Sequence, residues 1–409
     1  MLLVFLAALA VALFRTRRDW TLKPASFLQG YLLFTVVFYS YRWIFQWGTP
    51  ETTLYEGDAP GYVRIIKDLV FVGFVLLGLW KRKFSSSPII WYVGPIVAWF
   101  SLCSYMKLLA LQDSHAVLFY WRMPLEYMPL CFMNFDEEFE GLQRFIVGLC
   151  WIVIGFLGME VLSGRVSGFA KGGLYTRYGS IFGSPNELGV FVVLMLLCLL
   201  VFSDRIPEAT RALLVLSLSI ALVLTGSRSS MVGLVAGLIS LWPRSKRWLG
   251  VIGIVAVVGC MFLMFAFRDI DVMGDLTMRA TDETAMARLD QLDQVKSEIG
   301  GWGISSLVFG SWRHLFVENF YLAILLRAGF LGLGLLALLL AATLVRSTHP
   351  FLRAGIVSVL SASFFVPYLD VFPINVYFWL MVGAVWRLSR HPEAALRTKG
   401  SLIGRGAVA

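Results

Sequence analysis

Charged side chains are scarce in this sequence. Only 15% of its 409 residues are Asp, Glu, Lys or Arg, whereas 58% are hydrophobic. A soluble domain averages about a quarter charged residues and about half apolar ones. The shortage of charge excludes a soluble globular protein and indicates a chain that lies mostly in lipid.

Cysteine and the short motifs of soluble enzymes are also rare or missing. The five cysteines lie in or beside apolar runs without CxxC spacing, which predicts neither a disulfide framework nor a metal site. The sequence has no Gly-rich phosphate loop, no HExxH and no GxSxG segment. These absences argue against a soluble catalytic domain, and we expect no metal and no cofactor.

Long apolar runs recur along almost the whole chain. Their lengths approach the number of residues that a helix needs to cross the hydrocarbon core. They predict an all-α polytopic membrane protein, a single membrane domain over residues 1–409, with about 13 (about 12 to 14) transmembrane helices. The predicted spans are 1–14, 26–47, 67–80, 87–106, 115–134, 142–163, 187–203, 210–226, 229–243, 248–267, 319–345, 353–368 and 372–388.

The basic residues cluster in short segments between these runs, for example at Lys81–Lys83 and Arg244–Arg247. Such clusters are typical of cytoplasmic loops, so the net charge of +9 predicts membrane anchoring and no nucleic-acid partner. Alternation from an outside N-terminus makes 389–409 a basic cytoplasmic tail. It also predicts that two long loops, 164–186 and 268–318, lie on the outer side.

Arg228 stands in a hairpin of a few residues between two apolar runs, within Thr225-Gly-Ser-Arg-Ser-Ser230. A charge at such a place either reaches the lipid headgroups or is held at the outer mouth of the helix bundle. A guanidinium is planar and always charged, and it can bind phosphate oxygens through two hydrogen bonds. Arg228 is therefore a candidate phosphate-binding residue, with headgroup anchoring as the alternative.

Arg177 precedes the turn Gly183-Ser-Pro-Asn186, which leads into the seventh predicted span. Gly and Pro permit a tight entry into the membrane, and Asn186 is predicted to cap the helix that follows. Since helix N-termini attract anions, an arginine nearby makes an anion site an alternative to a simple capping turn.

The second long loop carries Arg288 and His314 and ends at Glu318, where the eleventh predicted span begins. A carboxylate at this boundary is a candidate general base. Its alternative role is to stabilise a helix N-terminus, where an acidic side chain is favourable. His314 is a second candidate base, although a lone loop histidine is usually only solvated.

These segments occur in an order that resembles a known family. Arg177…Gly-Ser-Pro-Asn186, Thr225-Gly-Ser-Arg-Ser-Ser230, a large loop with Arg288, and Glu318-Asn-Phe-Tyr-Leu322…Arg327-Ala-Gly-Phe-Leu-Gly332 are similar to motifs of the O-antigen ligase and Wzy polymerase superfamily. The resemblance covers residues 140–345, roughly half of the chain. Members of that family are GT-C-like membrane glycosyltransferases.

The resemblance implies a metal-independent glycosyltransferase of the bacterial inner membrane, with 164–186 and 268–318 as periplasmic loops and the second as the catalytic one. The donor would be an oligosaccharide on undecaprenyl pyrophosphate, and the acceptor another glycan or lipid A core. A chain-length regulator and membrane lipids are the further expected partners. The residues carried over are Arg228, Arg288 and, more weakly, Arg177 for pyrophosphate, Glu318 or His314 as base, and Asn319, Asn186 and Tyr321 in support.

Two departures from the family pattern separate the alternatives. The ligase histidine next to Asn is replaced by Glu318, and the acid of the later E-x-G is replaced by Arg327. Polymerases of the superfamily vary at the first place and often carry an acid, so we prefer polymerase to ligase. His314, one helical turn earlier, keeps the ligase alternative open. A transporter or flippase of lipid-linked sugars would need mid-bilayer charges and paired broken helices, of which the sequence indicates little.

The orientation leads to a first prediction. Cysteines introduced at Gly172 and Ser305, in a background without the native cysteines, should react with an impermeant thiol reagent in intact spheroplasts. The expected reactivity follows from the placement of both loops opposite the basic clusters. A cysteine introduced at Ser245, inside the Arg244–Arg247 cluster, is the control and should react only after lysis. The reverse pattern would overturn the orientation.

Overall fold

The structure is a computed structural model. It describes residues 24–37, 61–80, 84, 87–111, 126–134, 139–163, 178–182, 184–201, 206–241, 283–311 and 317–389. These residues are mostly helical and contain no strand. The prediction of an all-α fold is confirmed for them.

The helices divide between two compact units, each built from two stretches of chain. The first unit comprises Met1–Phe84 and Phe135–Met231, and the second comprises Ser85–Asn134 and Val232–Ala409. The first contains α1 (Pro24–Val37), α2 (Gly61–Trp80), α4 (Phe139–Ser163), α5 (Pro185–Val201), α6 (Glu208–Thr225) and the start of α7 (Arg228–Leu241). The second contains α3 (Ile90–Leu111), the rest of α7, α8 (Glu283–Gly300), α9 (Ile304–Phe309), α10 (Phe320–Arg346), α11 (Pro350–Ala362) and α12 (Ile374–Leu388).

Several helices are suited to a membrane. Within the described residues, four are long and apolar enough to cross one, at Ile90–Ala110, Phe145–Leu162, Glu208–Thr225 and Phe320–Arg346. Large apolar side chains also face outward, and Trp91, Leu162 and Val345 are 80%, 90% and 84% exposed. Outward apolar surface of this kind is suited to lipid. The count of about 13 spans stays a prediction, because spans such as 1–14 and 248–267 lie outside the described residues.

The first unit is organised around α5, which is apolar on every side. Its residues from Leu188 to Leu199 are buried without interruption. A helix that is hydrophobic all round belongs in the interior of a bundle. It packs on α6, which also contacts α4. Gly189 permits the close packing at one end, since a Cβ there would lie 2.3 Å from Ser230 Oγ.

The second unit is organised around α10, which packs on α3, α9 and α12. The helix α12 in turn packs on α11 and on a 3-10 helix at Met128–Phe132. Gly383 allows the last contact, because a Cβ there would lie 2.6 Å from the carbonyl oxygen of Cys131.

Two predicted spans are shorter or less regular than expected. Residues 126–134, the described end of the span 115–134, form a turn and a 3-10 helix, with Pro129 at its start. Proline lacks the N–H that a continuing α-helix needs. The span 353–368 also ends early, because α11 stops at Ala362 and the following carbonyls bond to residues outside the helix. The chain is therefore not α-helical at the ends of these two predicted spans.

The helix α10 is broken near its start. Gly329 has φ 68° and ψ −173°, which no helix accommodates. The carbonyl oxygens just before the break bond to donors outside the helix. Leu326 accepts from Ser311 N at 2.7 Å, Arg327 from Lys107 Nζ at 2.6 Å, and Ala328 from Trp99 Nε1 at 2.9 Å. The sequence indicated few buried charges and few broken helices. The broken helix and the buried charges of this region correct that expectation.

Beside the break, Arg327 forms an ion pair with Asp370. Its Nη1 lies 2.6 Å from Asp370 Oδ2, and the two side chains are only 10% and 4% exposed. Arg327 lies on α10, and Asp370 ends a 3-10 helix between α11 and α12. A buried charge without its partner is strongly unfavourable, so this pair ties the connection of α11 and α12 to α10.

The ion pair gives the second prediction. Asp370→Asn should lower the free energy of unfolding by about 3–5 kcal/mol, because it leaves the Arg327 guanidinium buried without a counter-charge. Reversible unfolding of the purified protein in mixed micelles measures the effect. Glu208→Gln is the matched control, because Glu208 is exposed and its pair with the half-buried Arg211 is long, at 3.8 Å, so that its loss should change the stability little. Equal losses in the two variants would contradict the role assigned to Asp370.

Candidate functional site

The segment Thr225–Ser230 forms the predicted hairpin between two apolar helices. Only Gly226 and Ser227 separate α6 from α7. Gly226 ends α6 with φ 57°, a conformation that glycine adopts at little cost, and its N–H donates to Val223 O at 2.9 Å. Arg228 is the first residue of α7, and its side chain is exposed. The predicted connection of only a few residues between two apolar helices is confirmed.

The serines of this hairpin point inward and bond to one another. Ser227 Oγ lies 2.7 Å from Ser230 Oγ and 3.1 Å from Ser229 Oγ. It also accepts a long bond from Ser230 N, as an N-capping side chain does. Ser230 Oγ donates to Asn186 O at 3.4 Å, which connects the hairpin to the start of α5. The serines therefore have a structural role, and the exposed Arg228 is compatible with both phosphate binding and headgroup anchoring.

A buried glutamate of α4 holds the chain just after Arg177. Glu160 Oε2 accepts from Ser180 N at 2.6 Å, and its Oε1 accepts from Gly179 N at 3.4 Å. Ser180 has a positive φ of 52°, and its hydroxyl donates to Val153 O at 2.9 Å. Arg177 itself lies outside the described residues. The sequence analysis missed Glu160, although an acid inside an apolar run was a usable signal.

The turn before α5 is capped by a residue other than the one predicted. The helix begins at Pro185, and Ser184 Oγ accepts from Asn186 N at 3.2 Å. Ser184 is therefore the capping residue, and the prediction that Asn186 caps this helix was wrong. A serine hydroxyl placed directly before a proline at the first helical position suits this geometry. The backbone carbonyl of Asn186 accepts from Ser230 instead.

The residues after Glu318 bond to the end of α11. Asn319 caps α10, since its Oδ1 accepts from Leu322 N at 3.0 Å, while its Nδ2 donates to Phe364 O at 2.7 Å. Tyr321 Oη donates to Leu360 O at 2.8 Å. A backbone bond of 3.1 Å from Phe320 N to Ser363 O lies between these two. Asn319 and Tyr321 thus supply donors to carbonyls that the end of α11 leaves without helical partners.

Glu318 lies where α8 meets the start of α10. Its backbone N–H donates to Gln291 Oε1 over 3.5 Å, a long hydrogen bond. One turn further along α8, Val295 is buried against Val317 and Leu326. Arg288 lies on α8 one turn before Gln291, and its side chain is outside the described set. The second unit therefore brings the helix that carries Arg288 to the residues around Glu318.

The other predicted residues divide between the two units. His314 lies outside the described residues, as does Arg177. Arg228 belongs to the first unit, whereas Glu318, Asn319, Tyr321 and α8 belong to the second. Within the described part of the chain, no three His, Cys, Asp or Glu side chains are grouped in a way that could hold a metal ion.

No protein-family model matches this chain. No curated protein matches it either. The likeness to the O-antigen ligase and polymerase superfamily therefore rests on the motifs of the sequence itself.

Proposed function

We propose that this membrane protein is a bacterial inner-membrane polysaccharide polymerase that joins undecaprenyl-pyrophosphate-linked glycan units at the periplasmic face. The observation that carries the proposal is the meeting of α8 with the start of α10. It supports a site in which a guanidinium and a carboxylate act together, since Arg288 lies on α8 and Glu318 lies two residues before the first residue of α10. These residues occupy the positions that the superfamily uses for chemistry.

The proposed reaction is a displacement at the anomeric carbon of the donor. The acceptor hydroxyl oxygen forms the new glycosidic bond, and the bond from the anomeric carbon to the pyrophosphate oxygen breaks. Undecaprenyl pyrophosphate leaves with the electron pair, and the Glu318 carboxylate accepts the hydroxyl proton. This leaving group needs charge stabilisation more than protonation, and fixed guanidinium groups supply it without a metal.

The proposed roles of the three arginines are supported to different degrees. Arg288 is supported by the resemblance and by the contact of its helix with Glu318. Arg228 is supported by the resemblance and by its exposed place at the start of α7. Arg177 is supported by the resemblance, and the only structural observation near it is that Glu160 binds the backbone of Gly179 and Ser180, which follow it.

Two alternatives remain for the test to decide. An O-antigen ligase would transfer the glycan to lipid A core and would use His314 as base. A transporter or flippase of lipid-linked sugars is favoured by one observation, the break in α10 beside buried charges. At that break, however, the carbonyls bond to Ser311, Lys107 and Trp99, and Arg327 is paired, which gives the break a structural explanation.

The third prediction concerns pyrophosphate. Arg228→Lys and Arg288→Lys keep the charge but remove the two-pronged donor. Each should lose a large part of the about 1.5–3 kcal/mol that a charge-assisted hydrogen bond contributes, which is roughly a tenfold or greater loss of turnover. The assay is polymer formation by purified protein from lipid-linked repeat units. Arg211→Lys, at a half-buried arginine of α6 outside the proposed site, is the control. Full activity of both test variants would assign the two arginines to membrane anchoring.

The fourth prediction concerns the base. Glu318→Gln keeps the size and the hydrogen-bonding capacity of the side chain but removes its basicity. It should lower polymer formation by about 10²–10⁴-fold, the usual contribution of a general base, and leave donor binding intact. His314→Ala should do less damage, and Glu208→Gln, an exposed acid on α6, should do none.

The reaction products distinguish the polymerase, the ligase and the transporter. A ladder of lengthening glycans supports the polymerase, whereas a single transfer to lipid A core supports the ligase. If His314→Ala proves more damaging than Glu318→Gln, His314 is the base and Glu318 is only a helix-start residue. Movement of intact lipid-linked sugar across vesicles, without any new glycosidic bond, would establish the transporter instead.

A further inference from the structure

The break in α10 is occupied by residues from the end of the long loop. Val308 and Phe309 end α9, and Gly310 and Ser311 follow. Ser311 N donates to Leu326 O at 2.7 Å. The Phe309 ring stacks on Trp99 of α3 with centroids 5.2 Å apart, and Trp99 Nε1 donates to Ala328 O. Together, residues 308–311 form what is called here the docked segment.

The docked segment approaches α10 backbone to backbone. A Cβ on Gly329 would lie 2.0 Å from Val308 O, and a Cβ on Gly310 would lie 2.4 Å from Leu326 O. Both glycines also have positive φ values, 68° and 84°. Only glycine fits two positions that combine this conformation with such close contact. The two segments are therefore shaped for each other.

Lys107 of α3 supplies the charge at this contact. Its side chain is fully buried, and Nζ donates to Arg327 O at 2.6 Å and to Leu326 O at 3.5 Å. A lysine within an apolar helix is unfavourable unless it has acceptors, and a carbonyl released from a helix is unfavourable unless it has donors. Lys107 and the break satisfy both requirements together. Leu326 O is shared between Lys107 and the docked segment.

The docked segment is also bonded to α8. Ser311 Oγ donates to Glu298 Oε1 at 2.6 Å, near the end of α8. Val295, one turn earlier on α8, packs on Leu326 at the break. A continuous set of contacts therefore leads from Lys107 through the carbonyl of Leu326 and Ser311 to the helix that carries Arg288.

We propose that Lys107 is a positioning residue, whose ammonium group keeps the docked segment on the break in α10 and thereby holds α8 against the start of α10. The second half of this statement rests on the proposed function, because it makes Lys107 responsible for the alignment of Arg288 with Glu318. Lys107 acts through the backbone of Leu326 and Arg327 and touches neither substrate nor reacting atoms in this proposal.

Hydrogen exchange of the full-length protein in lipid nanodiscs tests the docking. Lys107→Met fills a similar volume but removes the donor, so the Ser311 amide should exchange at least about tenfold faster. Lys107→Arg keeps charge and donors and should restore most of the protection. Trp99→Phe removes the donor to Ala328 and part of the ring that stacks on Phe309, and it should raise the exchange of this amide less than Lys107→Met does. Lys296→Met, at an exposed lysine of α8, is the matched control and should leave this amide protected.

The exchange rate of the Ser311 amide in these variants decides whether the ammonium group keeps the segment docked. Faster exchange in Lys107→Met with recovery in Lys107→Arg supports docking by the ammonium group. Unchanged exchange in Lys107→Met, or equal loosening in the Met and Arg variants, overturns it. If Lys107→Met does not insert into the membrane, unchanged exchange of the Ser311 amide in Trp99→Phe overturns the docking of this segment at the break.

Turnover tests the second half of the proposal. Lys107→Met should lower the turnover at saturating lipid-linked substrate by about tenfold and change the half-saturating concentration less than about threefold, because misalignment affects the chemical step more than binding. Wild-type turnover combined with faster exchange would overturn the positioning role. If the wild-type protein forms no polymer, the proposed function and this role fail together, while the exchange experiment still decides the docking.

Discussion

The backbone carbonyls released at the break in α10 constrain the second unit more than any other feature. The three residues at the break are buried away from water, so each of their carbonyls needs a donor from the protein. Leu326, Arg327 and Ala328 obtain theirs from Ser311, Lys107 and Trp99. The requirement explains why a lysine is buried in α3, why α9 lies against α10, and why glycines stand at two touching positions.

The same requirement shapes the other irregular places in the described chain. The amide groups of Gly179 and Ser180 bond to the buried Glu160, and the end of α11 bonds to the motif that begins α10. In each case one polar side chain joins two segments that are distant in sequence. Removing such a side chain leaves a buried backbone group of the segment that it binds without a partner, so its effect reaches beyond its own helix.

Composition and apolar runs were enough to predict a helical membrane protein, because both follow from the chemistry of the bilayer. The hairpin at Gly226 was also predictable, since its glycine and serines are local signals. The break in α10 was not predictable, because an Ala-Gly-Phe run is typical of an ordinary span. Two of its three donors, Trp99 and Lys107, also lie more than two hundred residues away in the sequence. The capping residue of α5 was misassigned because Ser184 and Asn186 are both good caps, and only geometry separates them.

The motif residues differ in how far the fold alone explains them. Ser227, Ser230, Asn319 and Tyr321 bond to the backbone, so their presence does not by itself argue for an enzyme. A carboxylate such as Glu318 is also favourable before a helix, by about 0.3–1 kcal/mol.

Arg228 is different, because it places a positive charge on the first residue of α7, at the positive end of the helix dipole. That position is unfavourable for a cation. A bound anion would offset this cost, and both of the alternative roles of Arg228 supply a phosphate. The distinction is therefore between a lipid headgroup and a lipid-linked pyrophosphate, and only the second makes turnover depend on the two-pronged geometry that lysine lacks.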